Sequence, residues 1–117
     1  PRLCSMDGAC NRFVTIEVNG DATPGCTLLS HFYERKINIK AAGFSRNLSR
    51  ELAAFSARIR SQEEKYCSSC TWRAFCHGGC TYNKILRSGR IEGKDYYCKV
   101  YQNLFEYISE TINHVIK

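Results

Sequence analysis

Eight cysteines dominate the chemistry available to this 117-residue chain. They run Cys4-x5-Cys10-x15-Cys26 and then, after a gap of forty residues, Cys67-x2-Cys70-x5-Cys76-x3-Cys80-x17-Cys98. Eight thiols are two sets of four, and four thiolates converging on one centre are what a cubane [4Fe–4S] cluster needs. Close pairs within one loop lower the entropy cost of gathering ligands, and the second group supplies such pairs. Gly78 and Gly79 lie between Cys76 and Cys80, where a bare backbone can approach a bulky anion and aim N–H groups at sulfur. A zinc site would use the same features, so local chemistry leaves the metal open.

Other thiol chemistries fit the spacing less well. Structural zinc usually pairs two close C-x2-C knuckles, and only Cys67 and Cys70 have that form. A disulfide framework belongs to secreted chains and has no use for Gly-Gly beside a cysteine. A free-standing ferredoxin carries the run C-x2-C-x2-C-x3-C, which is missing. Two [4Fe–4S] clusters are therefore the first reading, and a zinc-binding structural or interaction module the alternative.

The elements that must position these thiols are legible in outline. Phe13 to Val18 alternates apolar and polar residues and runs into Asn19-Gly20, which predicts a β-hairpin between Cys10 and Cys26 with Val14, Ile16 and Val18 on its buried face. Leu48, Leu52, Phe55 and Ile59 form one apolar stripe of a helix with Asn47 as N-cap. Cys67 to Cys80 is too rich in Cys, Ser and Gly to be regular throughout and reads as a loop folded around something. A short helix is expected from Cys80 to near Gly89. A longer one follows Asp95, with Tyr97, Tyr101, Leu104, Ile108, Ile112 and Val115 on a single face. The predicted fold class is α+β: a small cysteine-rich domain with one β-hairpin and about three helices around two [4Fe–4S] clusters.

Length predicts one domain, residues 1–117, with a modest core that needs staples. The chain starts at Pro1 without an initiator Met, so a piece of a longer protein is expected. No apolar run is long enough to span a bilayer and no signal peptide is visible, which points to a cytoplasmic setting and no membrane partner. The formal charge of +6 raises nucleic acid as a partner. Each four-thiolate cluster site adds about −2, however, so two sites bring the balance to roughly +2 and remove the need for nucleic acid. Trp72 and Phe75 are candidates for shielding a cluster, alongside plain core packing. Tyr97, Tyr101 and Phe105 read as core rather than substrate border. His77 reads as a loop residue, and His31 and His114 as surface. Arg35, Lys36 and Lys40 read as solvated, as do Lys84, Arg87 and Arg90 in preference to an acidic-peptide site.

Cys67-x2-Cys70-x5-Cys76-x3-Cys80-x17-Cys98, preceded by Cys10-x9-Gly20-x5-Cys26, resembles the SPASM domain of radical S-adenosylmethionine enzymes over nearly the whole chain. The resemblance implies Cys4, Cys10, Cys26 and Cys80 around auxiliary cluster I, and Cys67, Cys70, Cys76 and Cys98 around auxiliary cluster II, interlocked through Cys80. It also implies a parent chain whose barrel binds S-adenosylmethionine and a third [4Fe–4S] cluster, a peptide or protein substrate, and a reductant such as flavodoxin or ferredoxin. The radical-generating motif C-x3-C-x2-C is missing, so this piece is expected to complete a radical maturase without being catalytic alone. Two positions depart from the family. Five residues, rather than four, separate Gly20 from Cys26. Thr27 stands where the sulfatase-maturating branch carries a proton-accepting Asp, which argues against a sulfatase substrate.

Overall fold

Asn19 and Gly20 reverse the chain as their types require. The Asn19 side chain accepts the Asp21 N–H at 3.0 Å, and Gly20 takes a φ of +88°. In the computed structural model, which describes residues 3–8 and 10–117, this turn joins strand β1 (Val14–Ile16) to β2 (Asp21–Pro24). The strands pair antiparallel as Val14–Pro24, Thr15–Thr23 and Ile16–Ala22. A two-residue strand β3 (Ile37–Asn38) adds to the other edge of β2, giving a three-stranded sheet. The helices are α1 (Thr27–Ser30), α2 (Phe44–Cys67), α3 (Arg73–Cys76), α4 (Thr81–Ser88) and α5 (Cys98–Ile116). The expected α+β class is what the chain adopts, with more helices than its periodicity announced.

The hairpin stands where it was expected, but its faces are reversed. Val14 and Ile16 are 40% and 57% exposed, and Val18 is fully exposed. Thr15 turns toward the body of the domain instead, its hydroxyl donating to the Gly25 carbonyl at 3.0 Å. The buried strand is β2, whose Ala22, Thr23 and Pro24 lie under the sheet's neighbours while β1 is left as an edge. Alternation reveals that one face of a strand is apolar; which face turns inward is set by what packs on the sheet.

Leu29 of α1, Phe55 and Ile59 of α2, Ile85 of α4, and Tyr33, Ile91 and Cys10 from the connections form one buried cluster. Burying Phe55 or Leu29 fully contributes roughly 1.5–3 kcal/mol each. Tyr33 packs edge-on against Phe55 at 5.5 Å and donates its hydroxyl to Glu51 at 2.9 Å. So few large residues make a thin core, as expected for a domain of this length. Helix α2 begins earlier than predicted: Gly43, at a φ of +73°, is its N-cap, and Asn47 is already helical, donating its N–H to the Gly43 carbonyl. Leu48 and Leu52 are half-buried, so the predicted stripe deepens only at Phe55 and Ile59.

Helix α4 runs between Cys80 and Gly89 as the sequence predicts. Helix α5 differs from expectation, since none of its residues is buried. Leu104, Ile108, Ile112 and Val115 are 42–80% exposed, and Tyr97 is exposed as well. Phe105, Ile108 and Ile112 border Trp72 and Phe75 in a shallow open hollow, and the molecule extends over 61 × 28 × 22 Å. Periodicity correctly identified an apolar stripe, but a stripe is buried only where a partner element lies against it. Lys36 and Arg35 pair singly with Glu17 and Glu51 at the surface and form no patch. No helix among the described residues is long and apolar enough to cross a membrane.

Candidate metal centre

The first thiol group is gathered by short local devices. Cys4 and Cys10 each open a single turn of 3-10 helix, and Cys26 follows the hairpin directly. The hairpin closes on itself where the Gly25 N–H donates to the Phe13 carbonyl at 2.8 Å. Cys80 arrives from the far end of the sequence as the N-cap of α4. Burial raises the Cys4 thiol above its usual value, and Cys10, Cys80 and Cys26 raise it further, so all four thiols lie within electrostatic reach of one another. Cys80 is raised mainly by burial, while the N–H groups of Asn83 and Tyr82 at the start of α4 favour its thiolate. The Thr81 hydroxyl donates to the buried Cys10 sulfur at 3.3 Å.

The second group is mounted on three helices. Cys67 ends α2, Cys70 follows on a turn in which its N–H donates to the Cys67 carbonyl, Cys76 ends α3, and Cys98 opens α5. The region expected to be a loop thus contains a one-turn helix, ended by His77 in the left-handed conformation. Cys67, Cys70, Cys76 and Cys98 line a single cleft together with Trp72 and Phe105. Burial, then Asp95, Cys67 and Cys98, push the Cys76 thiol up to about 11, against an N–H from Gly78 that favours its thiolate. Cys67 is also raised, by burial first, with Lys84 acting in the opposite direction. The Gln102 amide reaches toward the Cys70 sulfur at 3.9 Å.

Asp95 joins the two groups. Buried to 2% exposure, it accepts the Cys80 N–H at 2.7 Å and the Asn83 amide at 3.2 Å on one oxygen, and the Tyr97 N–H at 2.7 Å on the other. One carboxylate therefore holds the backbone of Cys80 against the start of the helix that carries Cys98. It fits because Gly79 has no side chain. At a φ of +77°, a Cβ there would sit 2.7 Å from the Asp95 Cβ and 2.8 Å from its Cγ. Sequence reasoning used Asp95 only to mark a helix start; an Asp three residues ahead of the first helical residue was the available signal.

Two further expectations change. Lys84 is only 3% exposed and turns inward, whereas Arg87 and Arg90 are the solvated cations the sequence led us to expect. The signal was its place on the Thr81, Lys84, Ile85 face, which is the buried face of α4. Phe75 is 64% exposed, so shielding of the cleft falls to Trp72 and Phe105, whose rings lie 5.7 Å apart. Tyr101 is half-buried at the cleft, and His77 remains a loop residue 3.9 Å from Glu63.

Four thiolates brought together repel one another, and a cationic core among them offsets that repulsion. Among the described residues, no three His, Cys, Asp or Glu side chains are gathered tightly enough to hold a single metal ion. Against known proteins, the chain is 27% identical over 108 residues to the cysteine-type anaerobic sulfatase-maturating enzyme of Clostridium perfringens, in two strains. It is a distant relative of that maturase. The match covers 89% of this chain and 28% of the relatives, so the chain spans little more than a quarter of their length. No family model and no solved structure matches.

Proposed function

We propose that this chain is the auxiliary-cluster, SPASM-type domain of a radical S-adenosylmethionine maturase, binding one [4Fe–4S] cluster in each cysteine quartet. The observation that carries the reading is the convergence of Cys4, Cys10, Cys26 and Cys80 in one place and of Cys67, Cys70, Cys76 and Cys98 in another, from a single chain in which Cys80 crosses between the groups. The donor set suits the group: thiolates alone, with N–H and O–H groups aimed at sulfur. When bound, the clusters would supply one-electron redox centres beside a substrate.

The chain's own residues would hold and shield those centres. At the start of α4 the N–H groups of Asn83 and Tyr82 favour the Cys80 thiolate, and Trp72 with Phe105 would shield the second site. The proposal extends to a parent barrel that binds S-adenosylmethionine and a third cluster, to a peptide or protein substrate, and to a flavodoxin- or ferredoxin-type reductant. Thr27 in place of an acidic residue favours a substrate other than a sulfatase.

Iron, acid-labile sulfide and zinc counted on this chain, purified without oxygen, test the reading. About eight iron and eight sulfide are expected; about two zinc without sulfide would replace it with a structural zinc module. A finer expectation concerns Thr81. Thr81→Val removes the hydroxyl from the Cys10 sulfur and keeps the volume, so the reduction potential of the first cluster should fall by a few tens of millivolts, equivalent to roughly 1 kcal/mol. A redox titration followed by electron paramagnetic resonance reads the change.

A further inference from the structure

We propose that the Lys84 ammonium is the built-in counter-charge of the cluster held by Cys67, Cys70, Cys76 and Cys98, and that it makes this cluster easier to reduce. The inference rests on the two-cluster reading above. Lys84 is 97% removed from solvent by its 3% exposure, yet its ammonium has no carboxylate within ion-pair distance among the described residues. A buried, unpaired ammonium is strongly unfavourable unless an anion lies beside it. The Lys84 Nζ is 3.8 Å from where a Cβ on Gly78 would stand, at the rim of the cleft lined by the second quartet, and it favours the Cys67 thiolate. Glu63, whose side chain lies as close to that point, is taken up by Arg73 at 3.0 Å, which leaves the cluster as the anion that Lys84 would face.

Its effect follows from charge. A [4Fe–4S] core held by four thiolates goes from about −2 to about −3 on taking one electron, and a fixed positive charge in a low-dielectric site stabilises the more negative state. Among the described residues, the principal groups that act on Cys4 and Cys80 are other thiols, Asp7, Asp95 and the N–H groups of α4, and none of these is a cation. Lys84 thus biases an electron toward the second site. Gly78 adds a backbone N–H that reaches Cys76 and favours its thiolate.

The test is an anaerobic redox titration, followed by electron paramagnetic resonance, of the full-length protein carrying this chain. The second cluster's signal is identified by its loss in Cys70→Ser. In Lys84→Met, which keeps the length and removes the charge, that cluster's reduction equilibrium should move about tenfold toward the oxidised form, or about 59 mV lower for a one-electron couple. The first cluster should stay where it is, and Lys84→Arg should remain near wild type. If Lys84→Met does not load iron, Lys84→Gln carries the same expectation. A charge-removing variant with full iron and an unmoved second cluster, or with both clusters shifted equally, would overturn the role of Lys84. A Cys70→Ser variant that retains every cluster signal of the wild type would overturn instead the cluster reading on which the role depends.

Discussion

Replacing Cys80 with serine should cut bound iron from about eight to about four per copy of this chain, removing the first cluster while the second persists. By sequence Cys80 sits in the midst of the second group, three residues past Cys76, and a reading by proximity would assign it there. Its surroundings assign it elsewhere. Its thiol bears on Cys4 and Cys10, whereas the cleft of the second group is lined by Cys67, Cys70, Cys76 and Cys98 without it. The serine hydroxyl keeps the cap position of α4, so the helix should stay in place and the loss should be confined to one site. Iron and sulfide analysis reads the outcome, and loss of the second cluster with the first retained would reverse the assignment. Because Cys80 ties the hairpin to the C-terminal half, the variant should also unfold at lower denaturant in the iron-loaded state.

Gly79→Ala should be still more damaging, lowering stability by about 3 kcal/mol or more and emptying both sites. Two effects act together. A left-handed backbone costs a residue with a Cβ about 1–2 kcal/mol. The new methyl group would also meet the Cβ, Cγ and Oδ2 atoms of Asp95, a fully buried side chain held by three donors and unable to retreat, and overpacking of that kind costs about 1–3 kcal/mol more. Total stability for a domain is only about 5–15 kcal/mol. Any relief that moves Asp95 releases the Cys80 backbone on one side and the Tyr97 N–H at the start of α5 on the other, and each belongs to a different quartet. Denaturant unfolding and iron content, measured on the same preparation, separate this from a local defect. Gly89→Ala serves as control: its φ is also positive, at +72°, but a Cβ there would meet nothing within 4 Å, so its cost should stop at the backbone term.

The cysteine pattern, the hairpin and the ends of α4 could be read directly because each depends on local rules. Asn-Gly sets a turn, glycine ends a helix, and thiols at short intervals seek a shared centre. The proposed division of eight thiols into two quartets rests on family resemblance, since Cys80 is adjacent in sequence to one group while its electrostatic neighbours include Cys4 and Cys10. What the sequence by itself determined is therefore the available chemistry and the main elements: eight thiols at short intervals, an α+β class, and helix starts at Cys80 and Cys98. The tertiary structure decided which way each amphipathic face turns. It exposed Val14, Ile16 and the stripe of α5, buried Lys84, and set Asp95 against Gly79. The physical reason is common to all of these. Periodicity records the polarity of a face, whereas burial depends on what lies opposite, and with a core this thin the opposing surface is largely the two thiol sites.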